Sequence, residues 1–186
     1  GAIFSFILNG VIVVILLSVA IGVCWANKQD DYKEGDILFQ VSKSRQSPLI
    51  QKATGSKWSH CGVVVEKNKQ LYVLEASKVV RLTPLQQWIK QGKDEDVKKI
   101  RVKKEPVKIK YNKYLGKPYD LAFKFDNGKW YCSELVYDIY KSQLGIELCQ
   151  PKQLRQYKIS GMENVIKKRG MSLDQLVVAP CDLLDY

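Results

Sequence analysis

The order of the apolar runs along the chain constrains its fold most strongly. Short runs rich in β-branched and aromatic residues predict strands over 36–41, 58–66, 71–76 and 97–102. A strongly amphipathic helix is predicted over Cys132–Leu144, ended by a glycine. Because the strands precede this helix instead of alternating with helices, an α+β fold with an antiparallel sheet is favoured over a βαβ nucleotide-binding fold. The sequence has no glycine-rich phosphate loop to support nucleotide binding.

Shorter elements complete the predicted secondary structure. The polar residues 67–70 separate two of the strand-like runs and predict a hairpin. Four short helices are expected, three of which begin at or beside a proline: 47–53, 84–90, 106–115 and 162–169. A last strand is expected over 175–179.

The N-terminal segment differs in composition from the rest of the chain. Residues 2–25 form an uncharged, mostly apolar run, and a helix needs about 20 such residues to cross a bilayer. Two hypotheses compete for residues 1–26, an export signal peptide and a membrane anchor. Residues 27–34 are predicted as a linker and 35–186 as one domain. Residues 1–27 carry no charge, so the net charge of +11 comes entirely from residues 28–186.

A histidine and a glutamate are expected to meet on the predicted sheet. His60 is the only histidine, so any imidazole chemistry must use it; its alternative role is a polar residue at a strand edge. Glu75 lies inside an apolar strand, where a lone carboxylate is costly without a partner. Neighbouring strands of a hairpin can bring both to one face, where the carboxylate would fix the imidazole tautomer. The alternative for Glu75 is an edge charge that prevents aggregation.

The cysteines favour nucleophilic chemistry over metal binding. They number five: Cys24, Cys61, Cys132, Cys149 and Cys181. Without a CxxC pair, and with one histidine, the spacing predicts no metal site. Cys132 lies at the N-terminus of the main helix, whose dipole lowers the pKa of a thiol there; the alternative is a first-turn core residue. Cys61 follows His60 on the same strand and points to the opposite face, so a small buried role is predicted for it.

Five motifs together resemble the YiiX/YebB-like family, in the circularly permuted branch of the NlpC-type papain-like cysteine hydrolases. They are Gly35–Ser44, Trp58–Val64, Leu74–Ala76, Gly116–Asp120 and Tyr131–Val136, and the resemblance covers about residues 35–183. It implies a permuted papain-like fold, in which the helix that carries the nucleophile packs against a central antiparallel sheet. In this permuted order the histidine precedes the cysteine along the chain.

The resemblance also implies the roles of a catalytic triad. Cys132 corresponds to the nucleophile, His60 to the general base and Glu75 to the residue that orients the base. We therefore expect a cysteine hydrolase that cleaves a carbonyl substrate through an acyl-enzyme. No cofactor is expected.

Further positions are expected near the substrate. Tyr131, Tyr119 and Asp120 correspond by the same resemblance to pocket residues. Two positions depart from the family pattern: Cys61, where an aliphatic residue is usual, and Cys181, where serine is common. Neither departure is expected to touch the triad.

Two substrate classes and one non-catalytic alternative remain open on the sequence. The favoured hypothesis is an amide bond in the bacterial cell envelope, such as a murein peptide, cleaved in the periplasm by an exported or membrane-anchored enzyme. The alternatives are a lipid acyl hydrolase or acyltransferase with the same triad, and a binding module without activity. An open polar pocket would favour a peptide, and a deep apolar groove a lipid. Lysine runs without interleaved aromatic residues argue against nucleic acid as a partner, and the oligomeric state stays open.

Overall fold

A five-stranded antiparallel sheet forms the centre of the fold. The computed structural model describes residues 31–184 and Tyr186, within which Glu34–Tyr186 belong to one compact unit. The sheet order is β4-β3-β2-β1-β5, and the strands are β1 (Ile37–Gln40), β2 (His60–Lys67), β3 (Gln70–Ala76), β4 (Val80–Pro84) and β5 (Val97–Ile100). The predicted α+β fold with an antiparallel sheet is confirmed.

Within the described residues, four helices and a small second sheet accompany the central sheet. The helices are α1 (Ser47–Thr54), α2 (Leu85–Gln91), α3 (Cys132–Leu144) and α4 (Glu163–Lys168). Three 3-10 turns, Lys93–Glu95, Leu154–Gln156 and Pro180–Leu183, lie in the connections. The second sheet pairs β6 (Lys152–Gln153) with β7 (Leu176–Val177). The predicted helix Cys132–Leu144 is confirmed at both ends, and Gly145 ends it in the left-handed conformation that glycine favours.

Helix α3 packs its apolar face across β2 and β3 and closes the main core. The core side chains are completely buried, and burial of each aliphatic side chain contributes about 1.5–3 kcal/mol to stability. They include Ile37, Phe39, Val63, Leu74, Leu135, Val136 and Ile139. This packing fixes the N-terminal end of α3 against the sheet.

The predicted hairpin of β2 and β3 is confirmed, and its turn is tight. Val63 pairs with Leu74 and Lys67 with Gln70, so the turn consists of Asn68 and Lys69, both with positive φ. Two consecutive residues with positive φ match the right-handed twist of the strands they connect. The hairpin therefore holds β2 and β3 in a fixed register from the turn to the end that carries His60.

The predicted helix over 106–115 is wrong. The segment is irregular, because tertiary partners hold its backbone N–H groups: Val107 donates to the Glu34 carbonyl and Ile109 to the Glu34 carboxylate. Lys110 donates in the same way to the side chain of Gln143 on α3, at 2.8 Å. These contacts replace the i to i−4 bonds that a helix would need.

The N-terminal predictions lie outside the described residues. They concern the signal peptide or anchor at 1–26, which includes Cys24, and the first half of the linker at 27–34. Between Asp31 and Tyr186, in the part that the structure describes, no helix is long and apolar enough to cross a membrane.

Candidate active site

The hairpin brings His60 and Glu75 together on one face of the sheet. His60 begins β2, and its ring Nε2 lies 2.6 Å from Oε2 of Glu75 on β3. Gly62 lies on the same face between them. A Cβ at Gly62 would come within 2.7 Å of the Leu74 carbonyl oxygen and 3.5 Å of the Glu75 Cβ, so glycine permits the close approach of the two strands here.

The Glu75 carboxylate is buried and fully hydrogen-bonded. Besides His60, it accepts hydrogen bonds from Trp88 Nε1 at 3.1 Å, Thr83 Oγ1 at 2.7 Å and Arg81 Nε at 3.0 Å. Burial by itself raises the pKa of Glu75, but the hydrogen bonds of His60 and Thr83 and the charges of His60 and Arg81 outweigh it and lower the pKa to about 2. The carboxylate is therefore ionised at every physiological pH and presents a fixed negative charge to the imidazole.

Cys132 is the first residue of α3. The Glu134 carboxylate accepts a hydrogen bond from the Tyr131 backbone N–H at 3.4 Å and closes the first turn, as in a capping box. The Cys132 side chain is buried, with 3% of its surface exposed, and interacts with both Cys61 and His60. Its N-terminal position on the helix favours a thiolate.

The electrostatics around Cys132 and His60 favour a thiolate and an imidazolium. Hydrogen bonding from Cys61 and the hydrogen bond and charge of His60 lower the pKa of Cys132 well below its usual range, against the opposing effect of burial. Burial by itself lowers the pKa of His60, but hydrogen bonds and charge interactions with Cys132 and Glu75 raise it to about 10. These shifts favour a negative sulfur and a positive ring at neutral pH, with Glu75 at Nε2 of the ring.

The prediction that Cys61 stays away from the triad is wrong. The strand alternation itself holds, since Cys61 packs in the core beneath α3 while His60 faces Trp88. Cys132 lies near the N-terminal end of β2, where the side chains of His60 and Cys61 both reach it. Cys61 acts as its hydrogen-bond partner. Burial and the negative sulfur of Cys132 raise the pKa of Cys61 well above its usual range, so Cys61 stays a protonated donor.

Two of the three predicted pocket residues line a cavity beside the sulfur. Tyr119 and Tyr131 both contribute to its wall, together with Cys132. Burial, followed by the negative charge of Cys132, raises the pKa of Tyr119 well above its usual range. The Asp120 carboxylate instead accepts the backbone N–H groups of Ala122 and Lys124, at 2.9 and 2.6 Å, so it organises its own loop.

The cavity has a volume of about 100 Å³, which becomes about 760 Å³ when the open space at its mouth is included, and Cys132 forms part of its wall. It lies between α1, α4 and the segment 177–180. None of the α1 and α4 residues that line it was identified from the sequence. The cavity therefore adjoins the residue that carries the buried sulfur.

The described residues contain no group suited to a metal ion. Across 31–184 and Tyr186, no three or more histidine, cysteine, aspartate or glutamate side chains converge for this purpose. Cys132, His60 and Glu75 instead pair with one another, and Glu75 also interacts with Thr83 and Arg81.

Comparison with known proteins agrees with this arrangement. Residues 31–185 match the family described as permuted papain-like amidase enzyme, YaeF/YiiX, C92 family. The uncharacterized protein YiiX of Escherichia coli strain K12 is 36% identical over 163 residues, which span 81% of each chain. A crystal structure of YiiX from Escherichia coli O157:H7, described as a metalloprotein, matches with a TM-score of 0.72 and 35% identity, over 82% of this chain and 92% of that one.

These matches confirm the resemblance that the five sequence motifs indicated. The family is one of cysteine peptidases and amidases, and the sheet-and-helix architecture described above is the permuted papain-like fold. The chain belongs to the YaeF/YiiX family of permuted papain-like amidases, the C92 family of cysteine peptidases.

Proposed function

We propose that this protein hydrolyses an amide bond with Cys132 as nucleophile, His60 as general acid and base, and Glu75 as the residue that orients His60. The observation that carries the proposal is the chain of contacts from carboxylate to ring to sulfur, which ends at a cavity wall. Glu75 occupies Nε2 of the ring, which leaves Nδ1 for the sulfur. The family supports the general reaction class.

In the acylation step the Cys132 thiolate attacks the substrate carbonyl carbon and forms a carbon–sulfur bond. The negative charge moves to the carbonyl oxygen, where we place the backbone N–H of Cys132, at the positive end of α3, as a stabilising donor. The carbon–nitrogen bond then breaks. Protonated His60 gives its proton to the departing nitrogen, so an amine leaves and a thioester remains on Cys132.

In the deacylation step water replaces the amine. Neutral His60 accepts a proton from water as its oxygen attacks the thioester carbonyl, and the carbon–sulfur bond breaks. A carboxylic acid leaves, and the thiolate–imidazolium pair is restored. Throughout both steps Glu75 stays ionised, since its pKa is held at about 2, and stabilises the positive ring.

This chain's residues do not fit a metal-dependent variant of the reaction. The Escherichia coli O157:H7 structure is described as a metalloprotein. In the described part of this chain, however, no cluster of three or more potential ligands exists, and Glu75 already accepts hydrogen bonds on both oxygens. The proposed steps therefore use only side-chain and backbone groups of this chain.

We place the reaction at the cell envelope. This rests on the uncharged apolar run at 2–25, which has the composition of an export signal or a membrane anchor. The net charge of +11 on the remaining chain suits a surface of anionic envelope polymers or lipid headgroups.

Pulsed alkylation with iodoacetamide across a range of pH tests the proposed pair. Cys132 is expected to react as a thiolate down to a pH well below the usual titration range of a thiol. Cys149 is the internal reference, because burial and the nearby Asp182 charge raise its pKa to about 12. Site-resolved mass spectrometry separates the two. If Cys132 titrates like an ordinary thiol, the catalytic proposal fails and the binding-module hypothesis is favoured.

The hydrogen bond from Cys61 can be tested in the same assay. In Cys61→Val the thiolate loses a donor while the volume of the site changes little, so the midpoint of the Cys132 profile should rise by about one pH unit. Cys181→Val, at a half-buried cysteine outside the triad, is the matched control and should leave the profile in place. An unchanged profile in Cys61→Val would show that Cys61 only fills space.

A further inference from the structure

Two cysteine side chains meet where α3 begins against the sheet. Cys61 lies on β2, Cys132 is the first residue of α3, and both belong to the main hydrophobic core. The Cys132 sulfur accepts hydrogen bonds from the Cys61 thiol and from the Cys61 backbone N–H. Because two groups of one residue reach it, the Cys132 sulfur lies directly beside Cys61.

The end of the β2–β3 pairing leaves the Cys61 N–H available for this contact. Val64 donates to the Asp36 carbonyl on β1, and Cys61 lies an odd number of residues before Val64 on the same strand. In an antiparallel ladder its N–H therefore points away from β1, towards the β3 side. The pairing of β2 with β3 runs only from Val63 to Lys67, so Cys61 lies beyond the last pair.

The two cysteines differ in their relation to the cavity. Cys132 lines it and has 3% of its surface exposed, whereas Cys61 has no exposed surface and is not part of the cavity wall. A volume of about 100 Å³ holds a molecule of the size of water or hydrogen peroxide. A small oxidant therefore meets Cys132 first, and Cys61 reacts only with the oxidised sulfur.

The protonation states of this pair suit oxidation in two steps. Hydrogen bonding from Cys61 and then from His60 lowers the pKa of Cys132 well below its usual range, and the thiolate is the form that peroxides oxidise. Burial and the negative Cys132 sulfur raise the pKa of Cys61 well above its usual range, so Cys61 keeps its proton. Cys149 and Cys181 are half-buried, and burial raises the pKa of both thiols. Among these four cysteines, Cys132 is therefore the one that peroxide should oxidise.

We propose that Cys61 is a resolving thiol for Cys132, so that a peroxide converts the pair into a disulfide and inactivates the site reversibly. The inference rests on the proposed function, since it takes Cys132 as the nucleophile that the disulfide blocks. It assigns Cys61 a redox role in addition to its hydrogen bond to the thiolate.

In the first step the Cys132 thiolate attacks one oxygen of hydrogen peroxide. A sulfur–oxygen bond forms and the oxygen–oxygen bond breaks. The departing hydroxide takes a proton from the His60 imidazolium and leaves as water, so a sulfenic acid remains on Cys132. This group is neutral, so the charge that helped to hold the proton on Cys61 is gone.

In the second step the Cys61 sulfur attacks the oxidised sulfur of Cys132. The disulfide bond forms, the sulfur–oxygen bond breaks, and the hydroxyl group leaves with the Cys61 proton as water. In total the two cysteine sulfurs are oxidised and the two peroxide oxygens are reduced to two molecules of water. A dithiol such as dithiothreitol reduces the disulfide and restores both thiols.

Oxidation of the reduced full chain with hydrogen peroxide tests the proposal. The remaining thiols are alkylated under denaturing conditions, and cross-linked peptides are identified by mass spectrometry. A peptide linked through Cys61 and Cys132 is expected as the main product. Hydrolysis of 4-nitrophenyl acetate should be lost in proportion to this link and should return after reduction with dithiothreitol.

Substitutions at Cys61 should make the inactivation irreversible. Cys61→Ser keeps a hydrogen-bond donor beside Cys132 but forms no disulfide, so Cys132 should proceed to sulfinic and sulfonic acid. Relative to activity before oxidation, the wild type should recover at least about tenfold more than this variant on reduction. Cys61→Val tests the same point without a hydroxyl group, so the result does not depend on one variant folding. Cys181→Val, at a half-buried cysteine outside the triad, is the matched control and should recover like the wild type.

The outcomes separate this inference from the proposed function. A Cys61–Cys132 link, with a recovery that both Cys61 variants lose, supports the resolving thiol. If Cys132 alkylates as a thiolate but no such link forms, or if a Cys61 variant recovers like the wild type, the redox role is overturned and the triad proposal stays in place. A Cys132 that titrates like an ordinary thiol overturns both.

Discussion

The Cys132→Ala variant is expected to lose hydrolysis by about 10⁴-fold or more in kcat/KM while the protein stays folded. The reason is that the proposed reaction forms its covalent bond at this sulfur, and Cys61, the other thiol beside the site, stays protonated because its pKa is raised. Hydrolysis is measured as the release of nitrophenolate from 4-nitrophenyl acetate, an ester that acylates reactive thiols. Intact mass after mixing with that ester should show no acyl adduct on the variant.

Cys149→Ala is the matched control for this loss. Cys149 is a half-buried thiol outside the triad, and burial contributes most to its raised pKa of about 12, so its removal should leave turnover and acylation at wild-type levels. Thermal unfolding of both variants shows whether either substitution disturbs the core. Turnover retained in Cys132→Ala would rule out this sulfur as the nucleophile.

The helix that carries this sulfur was predictable because its signals are local. The apolar positions of Cys132–Leu144 recur on one helical face, and the glycine at 145 supplies the left-handed residue that ends the helix. Such a pattern can be recognised without knowing which surface the helix packs against. The placement of the thiol at a helix N-terminus followed directly from it.

The meeting of His60 and Glu75 was predictable for a related reason. Both belong to one hairpin, whose short turn fixes the register, and the alternation of strand side chains then decides which residues share a face. The other partners of Glu75 were not found, since Arg81 and Thr83 lie on β4, a strand of five residues that the sequence analysis left unassigned. Its only signal was the alternation of apolar Val80 and Leu82 with polar Arg81 and Thr83.

Contacts between distant elements account for the rest of the missed site. Cys61 reaches Cys132 only because α3 begins at the end of β2, and strand alternation alone placed Cys61 away from the imidazole. The cavity needs α1, α4 and the 177–180 segment in one place, although these elements are far apart in sequence. Each short helix shows at most one apolar face, and nothing local distinguishes a face that lines a cavity from one that fills a core.

The Glu75→Gln variant is expected to lose about 10²–10⁴-fold in kcat/KM, less than Cys132→Ala. The substitution keeps size and shape but removes a charge that helps to raise the pKa of His60 to about 10. With less stabilisation of the positive ring, the thiolate–imidazolium pair becomes less favourable. The midpoint of the Cys132 alkylation profile should therefore move to higher pH.

Hydrogen bonding adds a second reason for this loss. The carboxylate accepts from Arg81 and Thr83 on Oε1 and from His60 and Trp88 on Oε2. A glutamine has one accepting oxygen, so its amide nitrogen must face one of these pairs of donors. If it faces the ring, Nε2 of His60 must become the acceptor, and the neutral ring then carries its proton on Nδ1, the nitrogen that has to take a proton in catalysis.

Glu66→Gln removes a carboxylate of the same hairpin at an exposed position and is the matched control. It should retain wild-type kcat/KM and the wild-type alkylation profile, because Glu66 lies near the turn, away from His60. A further readout separates orientation of the base from a general loss of stability: in Glu75→Gln, activity should fall at temperatures well below the unfolding transition. Wild-type activity in Glu75→Gln, or a loss greater than that of Cys132→Ala, would show that Glu75 does not serve His60 in the way that the 2.6 Å contact indicates.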